Sequence, residues 1–459
     1  MEMEMISETS LFLLLLSFAK KVIAKVDDLM SKGQFKTIEL LYAKPTVNSL
    51  GYKEGSVSCS LSYNNFIKKE RFIKNQKDFT DKEIKSISEY SEIVANIIKR
   101  NTCSEDKAQN IVYHFIRNLE REDSSKISDE KLSEKVHVFI SDIDNSPTCW
   151  ENTVFVNGMW LKEEYYKVTD EIHIRQPQKS DFEKERPVGM PDILSPISPK
   201  LFSAVIQFNL FCKSSQENQQ SINWLINTLQ LFKLGSVAYV AYEFKPKSIT
   251  RCGALLGSGG KHSTYYKYAI NSQDITILKS FICKIMPLVS KNIINDNVNL
   301  NIISVAFKRY LDALLHGGTI ENRITSAITC LESLYLKGEE RMELCHRLSQ
   351  RVSALLCLLD LDYKALEIYN QLTFAYDIRS TFIHGDQTDE KYRKKLPKLC
   401  ESVMQYARIS LLVFLQLKNT LEKNQIINKL DNSLLDRDAY DKLSKTICES
   451  GIIVVCPVG

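Results

Sequence analysis

Between Asn299 and Asn424 the apolar positions recur with the period of an α-helix. Ile302, Ala306, Tyr310 and Leu314 stand four apart, with Ile303, Phe307 and Leu311 one step round. After a His316-Gly-Gly break the pattern resumes at Ile324, Ile328, Leu331, Leu334 and Tyr335. Leu348, Val352, Leu355, Leu356 and Leu359 form a third stripe. Leu366, Tyr369, Leu372 and Tyr376 lead a fourth that ends at Gly385, and Val403, Ala407, Leu411 and Phe414 form a fifth. Pro397 is the only proline in this interval. Amphipathic stripes joined by short polar breaks predict a helical bundle over 297–424.

The pattern before residue 297 is mixed. Helical spacing is read at 10–31, with Ser10 as the expected cap, and at 81–101, 105–121 and 222–232. Strand-like runs are Val136–Ile143, Val154–Trp160, Ala204–Phe211 and Gly235–Phe244. Glu120–Lys135 reads as a charged connector. Arg175–Lys200, rich in proline and without periodicity, reads as a long surface loop. The expected fold class is therefore an α+β N-terminal region over 1–296 followed by an all-α helical bundle. The last segment, 425–459, reads as a polar tail until the apolar run Ile452–Cys456. No internal repeat is visible.

Composition narrows the function classes. Apolar residues make up 44% and charged residues 25%, which is globular and not disordered. Sixty basic against 56 acidic residues leave a net charge of +4. That is too small for a chain that wraps nucleic acid with its whole surface, and it leaves room for a local basic groove. The 16 glycines and 11 prolines are few for this length, which favours helices over a turn-rich β-sandwich. The 12 cysteines contain no CxxC pair, so no zinc ribbon or redox motif is readable. Cys330 and Cys357 lie in helical stripes as small hydrophobes, and reduced thiols in a cytoplasmic protein are expected. The apolar run Leu11–Leu16 is far shorter than the roughly 20 residues that span a bilayer. Glu2, Glu4 and Glu8 stand where a signal peptide is basic, so no membrane partner is expected.

Few motifs carry chemistry. Gly253–Ser263 is glycine-rich, but Leu255 stands where a phosphate loop needs its first glycine and His262 where it needs Ser or Thr. None of the seven histidines forms HExxH or H-x-H. There is no GxSxG and no GxGxxG. No metal and no cofactor are therefore expected. What is left is Phe374–Gly385, with Arg379 and His384 five residues apart. Five helical residues advance about 7.5 Å and turn about 500°, so the two side chains stand about 140° apart. One helix does not aim both groups at one atom, whereas two such helices meeting about a twofold axis would. The pair suits RNA: an imidazole takes the proton of a 2′-OH, and a guanidinium holds the charge that develops on phosphorus. Arg341 and His346 show the same spacing among Glu339, Glu340, Glu343 and Arg347, which reads as a solvated face.

Context separates the two pairs. Ala306–Tyr310, Arg323 with Ala327–Leu334, Arg347–Leu356 and Tyr376-Asp-Ile-Arg-Ser-Thr-Phe-Ile-His-Gly385 follow one another in order. Leu229–Val237 precedes them. In these residues the stretch 300–415 resembles the Apea-like branch of the HEPN superfamily, helical domains of which many are ribonucleases. The resemblance implies a metal-independent RNA endonuclease whose site forms across a homodimer, with Arg379 and His384 catalytic. It also implies a setting in phage defence or growth arrest. Ser380 and Glu332 are candidate supporting residues. Ser380 hydrogen-bonds either the imidazole or the backbone one turn back. Glu332 orients Arg379, or pairs with Arg347 or Arg351. Lys391, Arg393, Lys394 and Lys395 form either a solvated face or an RNA-backbone contact. Residues 1–296 carry no readable catalytic motif and are expected to sense a trigger. A non-catalytic module that dimerises and binds RNA or a partner protein is the alternative.

Overall fold

The computed structural model describes residues 8–33, 36–53, 56–72, 79–119, 127–183, 186–187, 202–251, 253–257, 265–293, 301–316, 318–359, 361–385 and 390–455. The chain opens with helix α1 (Glu8–Ser31), buried along Leu11, Leu15, Phe18, Val22 and Val26. Ser10 lies inside this helix and does not cap it. A long antiparallel hairpin follows, β1 (Lys36–Lys53) with β2 (Ser56–Phe72). Helices α2 (Glu89–Asn101), α3 (Glu105–Leu119) and α4 (Asp129–Ile143) then pack with α1 around their own apolar core. The run expected as a strand at Val136–Ile143 is the second half of α4, and the expected connector overlaps its start. Val136, Phe139, Ile140 and Ile143 are spaced 3, 4 and 7 apart and all four are buried, which is the helical period. Ser128 starts the helix by accepting from Lys131 N at 3.2 Å.

Next comes a six-stranded antiparallel sheet. Its strands are β3 (Thr148–Asn157), β5 (Tyr165–Lys167), β6 (Ile172–Arg175), β8 (Ala204–Cys212), β9 (Ala238–Pro246) and β10 (Ala254–Gly257), in the order β10-β9-β3-β8-β6-β5. Beside it β4 (Met159–Leu161) pairs in parallel with β11 (Tyr268–Ile270), and β7 (Arg186–Pro187) pairs with β1. Alternation puts Trp150, Val154 and Val156 of β3 on one face and Phe155 on the other, under the hairpin. The expected loop 175–200 holds one helical turn, Lys179–Phe182, and β7; its residues 188–200 lie outside the described ones. So does 258–264, which takes in the second half of the glycine-rich stretch; its first half holds the edge strand β10.

Helix α5 (Ser215–Phe232) and α6 (Ser272–Asn292) cover the Trp150 face of the sheet. The expected boundary at 296/297 lies outside the described residues. The five apolar stripes beyond it are five helices: α7 (Ile302–Leu315), α8 (Ile320–Tyr335), α9 (Leu344–Cys357), α10 (Ala365–Ile383) and α11 (Leu396–Leu417). The chain is thus a mixed α and β N-terminal part followed by a mostly helical C-terminal part. Helix α11 is buried nearly all round and packs against α7, α8, α9, α10 and α6, which is where an apolar helix of this kind belongs. The polar tail contains two more helices, α12 (Lys423–Ser433) and α13 (Arg437–Glu449). Each buries a narrow stripe, Ile426, Ile427 and Leu430 on the first, Leu443 and Ile447 on the second. The chain then returns to α11: Ile453 N donates to Gln416 Oε1 at 3.0 Å, and Val455 is buried.

One apolar core runs from Trp150 to Val455 without a break at residue 297. Arg408 of α11, fully buried, ties the parts together. It donates to Leu231 O at 2.8 Å, Phe232 O at 2.9 Å and Val455 O at 2.5 Å. Among the described residues no helix is long and apolar enough to cross a membrane.

Candidate functional site

Helix α10 is seated by Ile368, Leu372, Ala375 and Ile378, a buried stripe of 3- and 4-residue steps. Seating Ile378 turns the next residue, Arg379, toward α8. There Arg379 Nη2 donates to Glu332 Oε2 at 3.1 Å, with the side chains 23% and 17% exposed. The guanidinium also lies over the Tyr376 ring, 5.3 Å from its centre. Burial raises the Glu332 carboxyl above its ordinary value, against the lowering effect of Arg379 and of the Tyr376 hydroxyl, which donates to it. Burial, then the Glu332 charge, pushes the Tyr376 phenol up. Arg379 Nε is buried and has no hydrogen-bond partner among the described residues. The guanidinium is thus half paired, with donor capacity to spare.

His384 sits on the other side of the turn that ends α10. Its backbone N–H donates to Ser380 O at 3.1 Å, and Gly385 N donates to Phe382 O at 3.2 Å. Gly385 has φ +80°, the left-handed conformation that ends a helix. The His384 side chain is exposed, and Phe382 and Ile383 beside it are 38% and 55% exposed. The structure therefore brings Arg379 and Glu332 together and leaves His384 facing outward within one chain. Ser380 is half-buried; among the described residues its hydroxyl donates to neither the imidazole nor the preceding turn.

The basic segment is held against the same helix. Lys391 and Arg393 lie on the single turn Glu390–Arg393, and Lys394 and Lys395 follow; all four are exposed. Tyr392 between them packs edge-on against Phe374 of α10 at 5.2 Å, and the Lys391 ammonium stands 4.7 Å from the Tyr392 ring centre.

The other pair with this spacing is arranged differently. Arg341 lies in the turn before α9, and His346 Nδ1 is hydrogen-bonded to Tyr369 Oη at 2.9 Å. Glu332 pairs with neither Arg347 nor Arg351. Both of those arginines go to Glu340, Arg351 at 2.7 Å with Asp431 on its other edge at 2.7 Å. Arg323 is buried and donates to Ala313 O at 2.7 Å, closing the end of α7. Among the described residues no three His, Cys, Asp or Glu side chains form a metal cage. Sequence reading missed a cleft with four lysines on its walls, Lys162, Lys233, Lys267 and Lys398; they come from distant parts of the chain and share no motif. No protein-family model, curated protein or solved structure matches this chain.

Proposed function

We propose that this chain is a metal-independent RNA endonuclease of the HEPN type, acting as a homodimer. The observation that carries the reading is the end of α10. There Arg379 is fixed on Glu332 and Tyr376, while His384 stands outward beside the exposed pair Phe382 and Ile383. An apolar pair at an outward-facing helix end is the kind of surface a second copy covers. Joining two such ends places two imidazoles and two guanidinia about one cleft. There an imidazole takes the 2′-OH proton, and the freed oxygen attacks the adjacent phosphorus. The bond to the 5′-oxygen breaks, that oxygen takes up a proton, and a 2′,3′-cyclic phosphate is left. The guanidinia offset the charge that builds on the non-bridging oxygens. Lys391, Arg393, Lys394 and Lys395 lie alongside and suit the RNA backbone. Phage defence or growth arrest in the cytoplasm is the setting this reading implies, with residues 1–296 restraining the bundle until a trigger binds.

A second reading, a dimerising HEPN module that binds RNA or a protein without cutting, is favoured by one observation: Arg379 is ion-paired inside its own chain, as a structural arginine is. The two readings separate on RNA incubated with the full chain in excess EDTA. The nuclease predicts fragments ending in 2′,3′-cyclic phosphate and their loss in His384→Ala. The module predicts bound, intact RNA with both proteins.

A further inference from the structure

A cleft of about 910 Å³ opens between the mixed part of the chain and the bundle. One wall carries Lys162, which follows β4, and Lys267, which leads into β11; the opposite wall is the first turns of α11, with Lys398 and Glu401. Lys233 also lines it, but its ammonium is held by Asp274 at 2.5 Å. Lys162, Lys267 and Lys398 are exposed and have no ion-pair partner among the described residues. Four lysines against two carboxylates leave the lining at +2, half the net charge of +4 carried by the whole chain. Three unpaired ammonium groups across one concave surface repel each other, and walls of low dielectric focus their field on an anion inside. The first turn of α11 adds to this field, since its cap residue Lys395 supplies no side-chain acceptor to the free amides.

The size and the mouth narrow the ligand. The volume falls at the upper end of the range for small-molecule and cofactor sites, roughly 300–1,000 Å³. Tyr265 stands at the mouth, 48% exposed, its ring perpendicular to that of Tyr266 at 4.7 Å and 4.9 Å from the Arg323 guanidinium. We infer that this cleft binds a phosphorylated ligand of nucleotide size, its phosphates held by Lys162, Lys267 and Lys398 and its ring lying against Tyr265. Such a ligand bridges the two parts of the chain, because Lys267 belongs to the strand side and Lys398 to α11. The inference stands whether or not the bundle cuts RNA.

Calorimetric titration of the full chain tests it with four probes: ADP, inorganic pyrophosphate, adenosine and a ten-nucleotide single-stranded DNA. ADP and pyrophosphate should bind, and adenosine should bind at least about tenfold more weakly than ADP. Lys267→Gln and Lys398→Gln should each weaken ADP about tenfold, with melting temperatures unchanged because both side chains are exposed. Tyr265→Ala should weaken ADP and leave pyrophosphate as it was. Absence of binding by both phosphorylated probes at millimolar concentration overturns the inference. So does binding that both lysine variants leave intact, or binding of the oligonucleotide alone.

Discussion

Arg379 is held by two unlike partners, a carboxylate and an aromatic face, and each depends on the other. Glu332 is buried enough that its proton is harder to lose than in water, and Arg379 opposes that. Glu340 is the contrasting case: hydrogen bonds from Arg351 hold it down at about 2. The two carboxyls therefore act oppositely on stability as pH changes. With its folded value raised, Glu332 contributes stability at acid pH that is lost as pH rises through that value. With its folded value depressed, Glu340 contributes stability above the ordinary carboxylate range that is lost as pH falls toward about 2. Urea midpoints between pH 2 and pH 7 should show it: Glu340→Gln flattens the acid limb and lowers stability near neutrality, whereas Glu332→Gln removes a decline with rising pH. Equal curves for both variants would contradict the assignment. The Arg379/His384 spacing was legible in the sequence. That Glu332 takes Arg379 rather than Arg347 or Arg351 was not, because α9 and α10, which carry the three arginines, both pack against α8 and only the seating of α10 by Ile378 chooses among them.

Long helices were legible because their period repeats: each of the five stripes from Ile302 to Phe414 contains enough turns to separate 3.6 from 2. Short or weakly apolar elements were not. Val136–Ile143 is one apolar cluster too brief to show its period, and the cap Ser128 lay in what read as a connector. The polar tail conceals α12 and α13 because each buries only two or three side chains. The hairpin β1–β2 carries Lys68, Lys69 and Glu70 in sequence, a run that hides any alternation. At the junction of β3 and β4 one glycine decides the path. Gly158 has φ +80°, and a Cβ there would stand 2.1 Å from Ser236 O, on the backbone leading to β9. Gly158→Ala should therefore destabilise by about 3 kcal/mol, from strain and forced backbone movement together. Gly385→Ala has open space and should lose only about 1 kcal/mol, the cost of the left-handed conformation. Thermal unfolding of the two variants checks the order, and equal losses would contradict it.

Across the whole molecule the sheet and the bundle share one core, which periodicity cannot reveal because it describes elements and not their neighbours. All three tryptophans, Trp150, Trp160 and Trp224, lie on the sheet side, in β3, β4 and α5. Arg408 lies in the bundle and bonds the end of α5. Arg408→Met should leave three buried carbonyls short of a donor and lower stability on the order of 3 kcal/mol. The loss should be read by tryptophan fluorescence and by helical circular dichroism in the same transition. A fluorescence midpoint that does not move would mean that the two parts unfold separately. The shared core also predicts that a chain cut at residue 297 will not fold, so activity is best tested on the whole 459-residue chain. The measurement that bears most directly on the proposed nuclease is cleavage of a total RNA pool in excess EDTA, with the product ends identified. Wild type, Arg379→Ala, His384→Ala and His346→Ala are compared. Wild type and His346→Ala should leave 2′,3′-cyclic phosphates at similar rates, and the Arg379 and His384 variants should be slower by about 100-fold or more. Cleavage by those two variants at the wild-type rate would contradict the account.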